Sequence, residues 1–100
     1  MKIGILGCGV ISNTYIQEIQ RIYEKTLEIV AVADMDQARA KATAEKYQVP
    51  FALTVEELLA YKDIQLIVNL TPPMAHKELN MRILESGKHL FCEKTFALTV

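Results

Sequence analysis

Lys2-Ile3-Gly4-Ile5-Leu6-Gly7-Cys8-Gly9-Val10-Ile11-Ser12 opens the chain. It is a short apolar run that breaks into Gly-x-Gly and then into a helical pattern. A helix entered through a tight glycine turn presents unpaired N–H groups and positive dipole character, which suit a phosphate. Gly7 allows the turn, and Gly9 lacks the Cβ that would block a pyrophosphate. The next apolar run ends in Asp34, a carboxylate suited to accept hydrogen bonds from ribose hydroxyls and to repel a 2′-phosphate. That favours NAD over NADP. Ser12 stands at the third glycine position of the dinucleotide fingerprint and is small enough to keep helix and strand close. The same turn also serves in loops that bind nothing, so the remainder of the sequence must decide.

The composition narrows the classes. One hundred residues, 51% hydrophobic, are enough for one domain with a core. A net charge of −1 gives no basic footprint for nucleic acid and no polybasic face for anionic lipid. No apolar stretch approaches the roughly 20 residues that span a bilayer. A charged-then-apolar leader does not open the chain, so the expected compartment is the cytoplasm. Cys8 and Cys92 form no C-x-x-C pair. With one strand between them they would stand about 10 Å apart, beyond disulfide reach. They read as small buried thiols, and no metal site is expected.

Strand and helix alternate to the end. Ile3–Leu6 reads as the first strand. Tyr15, Ile16, Ile19, Ile22 and Tyr23 give one buried face to a helix over Thr14–Lys25. Glu28–Ala33 is a β-branched second strand. Asp36 can cap a helix running to Tyr47, with Ala38, Ala42 and Tyr47 toward the sheet and Arg39, Lys41, Glu45 and Lys46 in water. Pro50-Phe51-Ala52 is a short edge strand, and Thr54-Val55-Glu56-Glu57 is a capping box for a helix ending near Lys62. Ile64–Leu70, almost continuously apolar, suits a parallel strand buried on both faces. Thr71-Pro72-Pro73 leads into a helix with Leu79, Ile83 and Leu84 as its stripe, stopping at Gly87. His89–Cys92 is the fifth strand.

This pattern implies an α/β fold, a doubly wound parallel sheet of Rossmann type in the order 3-2-1-4-5. Ligands bind such sheets beyond the carboxyl ends of the strands, where the order reverses. The Gly7–Gly9 turn, Asp34, the Thr71-Pro72-Pro73 segment and Glu93-Lys94 each follow a strand and should meet at that edge.

Four segments, Gly-Cys-Gly-Val-Ile-Ser, Ala-Asp-Met-Asp, Asn-Leu-Thr-Pro-Pro-Met-Ala-His and Gly-Lys-His-Leu-Phe-Cys-Glu-Lys, resemble in that order the N-terminal half of the Gfo/Idh/MocA oxidoreductases. The resemblance covers the whole chain. It implies an NAD- or NADP-dependent dehydrogenase that passes hydride between nicotinamide and a sugar, a cyclitol or a similar small molecule. It also implies that Gly7, Cys8, Gly9, Val10 and Ile11 hold the pyrophosphate and Asp34 the adenosine ribose. Thr71 and Pro72 would line the cofactor cleft, with His76 on the first turn of the next helix. Glu93 would lie by the nicotinamide ribose. Lys94 would bind the substrate hydroxyl and move its proton. A lysine near an oxidised nicotinamide, partly buried, has its charged form disfavoured, which suits proton exchange. Thr95 departs from the family's proline, so the backbone carrying Lys94 is less constrained.

Blander readings stand beside these. Asp34 can cap a helix, His76 can be an ordinary polar residue of a first turn, and Lys94 can be a solvated residue after an edge strand. A non-catalytic NAD(P)-binding sensor or oligomerisation module would keep the fold without the chemistry. A methyltransferase using S-adenosylmethionine also has a glycine turn and an acid after its second strand, but not the Thr-Pro-Pro and Glu-Lys segments.

By the same resemblance the chain reads as a partial N-terminal dinucleotide-binding domain, incomplete at its C-terminus and without the substrate domain that would follow. A naturally short protein is the other reading. Without the parts that follow in the family, the fifth strand would offer an unpaired edge and apolar surface would face water. The isolated chain is expected to form homo-oligomers and to catalyse little or no turnover. Light scattering that gives a clean monomer would contradict the first expectation, and sugar-dependent NAD reduction by the chain alone would contradict the second.

Overall fold

Lys2–Leu6 forms β1, which accepts neighbours on both sides and therefore lies at the centre of the sheet. Its residues after Lys2 are all buried, with Ile3 and Ile5 facing one layer of helices and Leu6 the other. In this computed structural model the described residues are 1–22, 26–71 and 73–92, with the backbone alone described at 10–12, 22, 73–76 and 92. The remaining elements are α1 (Val10–Ile22), β2 (Glu28–Ala33), α2 (Gln37–Tyr47), β3 (Phe51–Leu53), α3 (Val55–Ala60), β4 (Leu66–Asn69), α4 (Pro73–Glu85) and β5 (His89–Cys92). All four strand pairings are parallel, in the order β3-β2-β1-β4-β5. The expected doubly wound sheet is the observed one.

Helices cover both faces. Ile16 and Ile19 of α1 and Ala40 and Ala44 of α2 pack on one side with Ile3, Ile5, Val32 and Val68. Val55 and Leu58 of α3 and Leu79 and Ile83 of α4 pack on the other with Leu6, Ala31 and Ile67. Burying a side chain such as Ile5 or Ile67 is worth about 1.5–3 kcal/mol, so these two layers hold the sheet between them. Gly4 lets the second layer approach. A Cβ there would lie 2.6 Å from Leu58 Cδ1 and 3.3 Å from Ile64 Cδ1. The β1–β2 register slips between Ile3 and Gly4, so Val30 is an extra residue in β2. Val30 and Ala31 consequently face the same layer.

Local chemistry sets the helix ends. The Asp36 side chain accepts from the N–H groups of Ala38 (3.1 Å) and Arg39 (3.3 Å) and caps α2. That helix ends where Gln48 enters the left-handed region at φ 57°. Thr54 and Glu57 form the expected capping box, the Glu57 N–H donating to Thr54 Oγ1 and the Thr54 N–H to Glu57 Oε1. At the amino-terminal rim, the Lys88 ammonium donates to the carbonyls of Tyr61 and Ile64, pinning the loop before β4 to the start of β5.

Several local expectations need correction. The first helix begins at Val10, not Thr14, directly after the glycine turn. The buried face of α2 is Ala40, Thr43 and Ala44, while Ala38 and Ala42 are exposed. Leu84 is 59% exposed, one residue off the stripe that Leu79 and Ile83 define. Tyr23, expected on the buried face of α1, lies outside the described residues.

Tyr47 packs beside the first layer, with the Lys46 ammonium 5.3 Å from its ring centroid. Its buried hydroxyl has no hydrogen-bond partner among the described residues. Tyr47→Phe keeps the ring and removes that unsatisfied group, so stability should rise by about 1 kcal/mol in denaturant unfolding. A loss of similar size would show that the hydroxyl is bonded after all.

Candidate functional site

Parallel register brings the strand ends into line. Leu53 pairs with Ala33, Ala33 with Leu6, Leu6 with Asn69, and Asn69 with Cys92. The residues that follow each strand therefore emerge along one rim. Gly7, Asp34 and Leu70-Thr71 come from three adjacent strands there, as the sequence led us to expect.

Hydrogen bonds fasten the first two loops together. The Gly7 N–H donates to the Ala33 carbonyl at 2.8 Å, extending the ladder by one residue. The Cys8 N–H then leaves the ladder and donates to Asp34 Oδ2 at 2.7 Å. Asp34 Oδ1 accepts from the Asp36 N–H at 2.9 Å. A carboxylate oxygen has two lone pairs, so these bonds leave acceptor capacity for hydroxyls. Asp36, not Asp34, caps α2, which removes the helix-cap explanation of Asp34.

The glycines differ in purpose. Gly7 has φ +99°, and a Cβ on it would lie 2.9 Å from the Leu70 carbonyl carbon and 3.0 Å from the Thr71 nitrogen. Any side chain would therefore push the β1 turn off the β4 loop. A Cβ on Gly9 would meet nothing within 4 Å among the described residues. Gly9 stands at the start of α1, whose first turn carries no acidic residue to neutralise its positive end. That combination fits a pyrophosphate.

The β4 end is fixed by a polar cluster that sequence reading missed. Asn69 is fully buried. Its Oδ1 accepts from the Thr71 N–H (3.1 Å) and from the Thr71 hydroxyl (2.6 Å), and its Nδ2 donates to Asn80 Oδ1 (2.8 Å). The cluster locks the β4 loop to α4. The available signal was an asparagine ending an apolar strand and a second one on the helix stripe between Leu79 and Ile83.

Two cavities are relevant, and only one adjoins the site. One, of about 300 Å³, opens beside Asp34 at the rim, with Met35, Thr54, Val55, Leu79 and Arg82 among its walls. The other, about 520 Å³, lies between α1 and the β1–β4–β5 face, lined by residues such as Tyr15, Ile19 and Phe91. Its walls are almost wholly apolar and include neither Asp34 nor any residue of the glycine turn, which does not suit a reaction site.

Of the other expected site residues, Val10 and Ile11 form the first turn of α1 and His76 lies in the first turn of α4. Pro72, Glu93 and Lys94 lie outside the described residues. Among the described residues no cluster of three or more histidine, cysteine or acidic side chains could hold a metal ion. No described helix is long and apolar enough to cross a membrane.

The family model described as an oxidoreductase family with an NAD-binding Rossmann fold (GFO_IDH_MocA) matches residues 1–100. The chain belongs to that family. This Gfo/Idh/MocA chain is 31% identical over 97% of its length to the uncharacterized oxidoreductase YrbE of Bacillus subtilis, of which it covers 28%. It is 29% identical over 99% of its length to inositol 2-dehydrogenase of Salmonella paratyphi B, covering 30% of that protein. Among solved structures it matches the WlbA dehydrogenase of Chromobacterium violaceum in complex with NADH and UDP-GlcNAcA. There the TM-score is 0.84 at 26% identity, over 94% of this chain and 27% of that one. The chain thus spans less than a third of the length of these relatives.

Cys8 is buried, and its thiol faces the Ala33 carbonyl at 3.5 Å. Burial foremost, and the negative charge of Asp34, push the thiol from near 9 up to about 11, against the lowering pull of a Thr43 hydrogen bond and of Arg39. A raised folded value means the protonated thiol's contribution to stability is complete below pH 9 and disappears as pH climbs toward 11. Stability measured by denaturant should therefore fall between pH 9 and 11 in the wild type and fall less in Cys8→Ala. Equal losses in both would contradict this account of Cys8.

Proposed function

We propose that this chain, residues 1–100, is part of the N-terminal dinucleotide-binding domain of an NAD(P)-dependent oxidoreductase whose substrate-reading residues lie mostly elsewhere in the protein. The observation that supports this best is the junction of the glycine turn with Asp34, made by the 2.7 Å bond from the Cys8 N–H. It sets an anion-favouring helix start and a hydroxyl-accepting carboxylate side by side, which are the two recognition elements of an adenosine diphosphate. The cleft next to Asp34, where Met35, Val55 and Leu79 stand among Gln37, Thr54, Glu56 and Arg82, offers the purine both apolar contact and hydrogen-bonding groups.

NAD is the preferred dinucleotide. A 2′-phosphate would bring further negative charge against Asp34, whereas a 2′-hydroxyl donates to it. Val10 and Ile11 offer first-turn N–H groups to the pyrophosphate. By family resemblance, Thr71, Pro72 and His76 are assigned to the nicotinamide half of the cofactor and Glu93 to the nicotinamide ribose. When bound, the nicotinamide supplies a hydride acceptor. Lys94 then takes the proton of the substrate hydroxyl as its carbon gives up hydride and becomes a carbonyl. The positive charge of an oxidised nicotinamide would favour the neutral amine that this transfer needs.

The substrate is a polyhydroxylated small molecule, a sugar or cyclitol. Inositol 2-dehydrogenase among the relatives and a UDP-GlcNAcA complex among the solved structures support that class. The working protein is a homo-oligomer with no nucleic-acid or membrane partner.

Fluorescence titration with NADH tests the cofactor reading. Asp34→Ala should weaken NADH binding by about tenfold or more, the worth of a hydrogen bond to a charged acceptor. Its circular dichroism should stay that of the wild type. Unchanged affinity would remove Asp34 from the site. In the full-length protein, Lys94→Ala should lower turnover by about a hundredfold or more. Undiminished turnover would favour a role for Lys94 outside the chemistry.

A further inference from the structure

The Leu70 N–H donates to the Leu6 carbonyl at 2.8 Å and extends the β1–β4 ladder by one residue. The next amide, that of Thr71, turns instead to a side chain of its own strand, Asn69 Oδ1, at 3.1 Å. A backbone N–H only donates, so the Asn69 atom facing it is the carbonyl oxygen, and the orientation of that amide is fixed. The same oxygen lies 2.6 Å from Thr71 Oγ1. A carbonyl oxygen only accepts, so the Thr71 hydroxyl gives its single proton there, and any other group that bonds Oγ1 must donate to it. Asn69 Nδ2 is then a donor, and Asn80 meets it with an acceptor, Oδ1, at 2.8 Å.

Three side chains thus share one hydrogen-bond direction, set by a single backbone amide. Asn69 is fully buried and Thr71 is buried, whereas Asn80 is partly exposed on α4, next to the buried Leu79. An apolar side chain would fill the end of β4 without the desolvation cost of an amide, so packing alone does not account for Asn69. Its place on the rim does. The strand order runs β2-β1-β4. With the pyrophosphate at the glycine turn after β1 and the adenosine ribose at Asp34 after β2, the other half of a dinucleotide extends toward the loop after β4. That is the loop the three side chains fix.

We infer that Asn69 is a positioning residue for the nicotinamide half of the cofactor, acting through Thr71, with Asn80 holding the Asn69 amide in its one orientation. This inference rests on the dinucleotide reading of the site.

The test compares two ligands of the whole chain: NADH, titrated by its fluorescence, and ADP, which lacks the nicotinamide half, titrated by calorimetry. A residue that only stabilises the fold would lower both affinities together or neither. Asn80→Leu keeps the size of the side chain and removes the acceptor of Asn69 Nδ2. It should weaken NADH by about tenfold, the order of one hydrogen bond lost in a buried network, and leave ADP unchanged. Asn80→Asp supplies an acceptor again and should restore the wild-type ratio of the two dissociation constants. Thr71→Val removes the hydroxyl at constant shape and should shift the ratio as Asn80→Leu does, and Thr71→Ser should return it. Asn80 is partly exposed, so its replacement tests the network even if Thr71→Val disturbs folding, which circular dichroism reports. A ratio unmoved by Asn80→Leu and Thr71→Val, with NADH still bound by the wild type, overturns this inference and leaves the cofactor reading intact. Equal losses for NADH and ADP would assign the network to stability alone and overturn it as well. Failure of the wild type to bind NADH overturns both readings.

Discussion

The amide of Cys8 has to find an acceptor at the point where the β1 ladder stops. It lies just past Gly7, whose N–H makes the last bond of the ladder to the Ala33 carbonyl and whose φ is +99°. Asp34 supplies the acceptor at 2.7 Å, and the charge makes the bond stronger than an amide–carbonyl pair. One contact thus holds the phosphate-facing turn and the ribose-facing acid in fixed relation. Without it, two loops from neighbouring strands would share a rim but not a geometry.

That bond depends in turn on the register of a sheet buried on both faces. A slip of one residue between β1 and β2 would carry Asp34 past Cys8 and turn every β2 side chain to the wrong layer. The slip that does occur, at Val30, is absorbed early in β2, and the pairs from Gly4–Ala31 to Leu6–Ala33 then run in step. Gly4 contributes by letting Leu58 press against the centre of the sheet. On the other flank the buried Asn69 ties the β4 loop to α4, so the third wall of the cleft is also set by the core.

Much of this was legible in the sequence, for identifiable reasons. The strands are apolar runs bounded by glycine, acid or proline, and alternation with helices leaves few topologies, so order and faces followed. Caps were legible because Asp36 and Thr54 sit at the required offsets from the first helical turn. The face of α2 was not. Its alanines recur at every second position, a spacing that marks no side of a helix, and the choice fell on Ala38 and Ala42 instead of Ala40 and Ala44. Thr14 looked like a helix start, but the chain enters α1 straight from Gly9, which is what brings the first-turn amides to the rim. The Asn69–Asn80 bond and the Arg39–Asp34 approach were illegible because each depends on how a helix packs back on the strand before it, which residue spacing alone does not encode.

The central claim is that a dinucleotide lies across the carboxyl ends of β1, β2 and β4. Amide chemical-shift mapping with NADH tests it most directly, because it reports position and not affinity alone. The account predicts shifts concentrated at Gly7 to Ile11, Asp34 to Asp36 and Leu70-Thr71. Shifts gathered instead around Met1, Lys62 and Lys88 at the opposite rim, or along the apolar face near Tyr15 and Phe91, would contradict it.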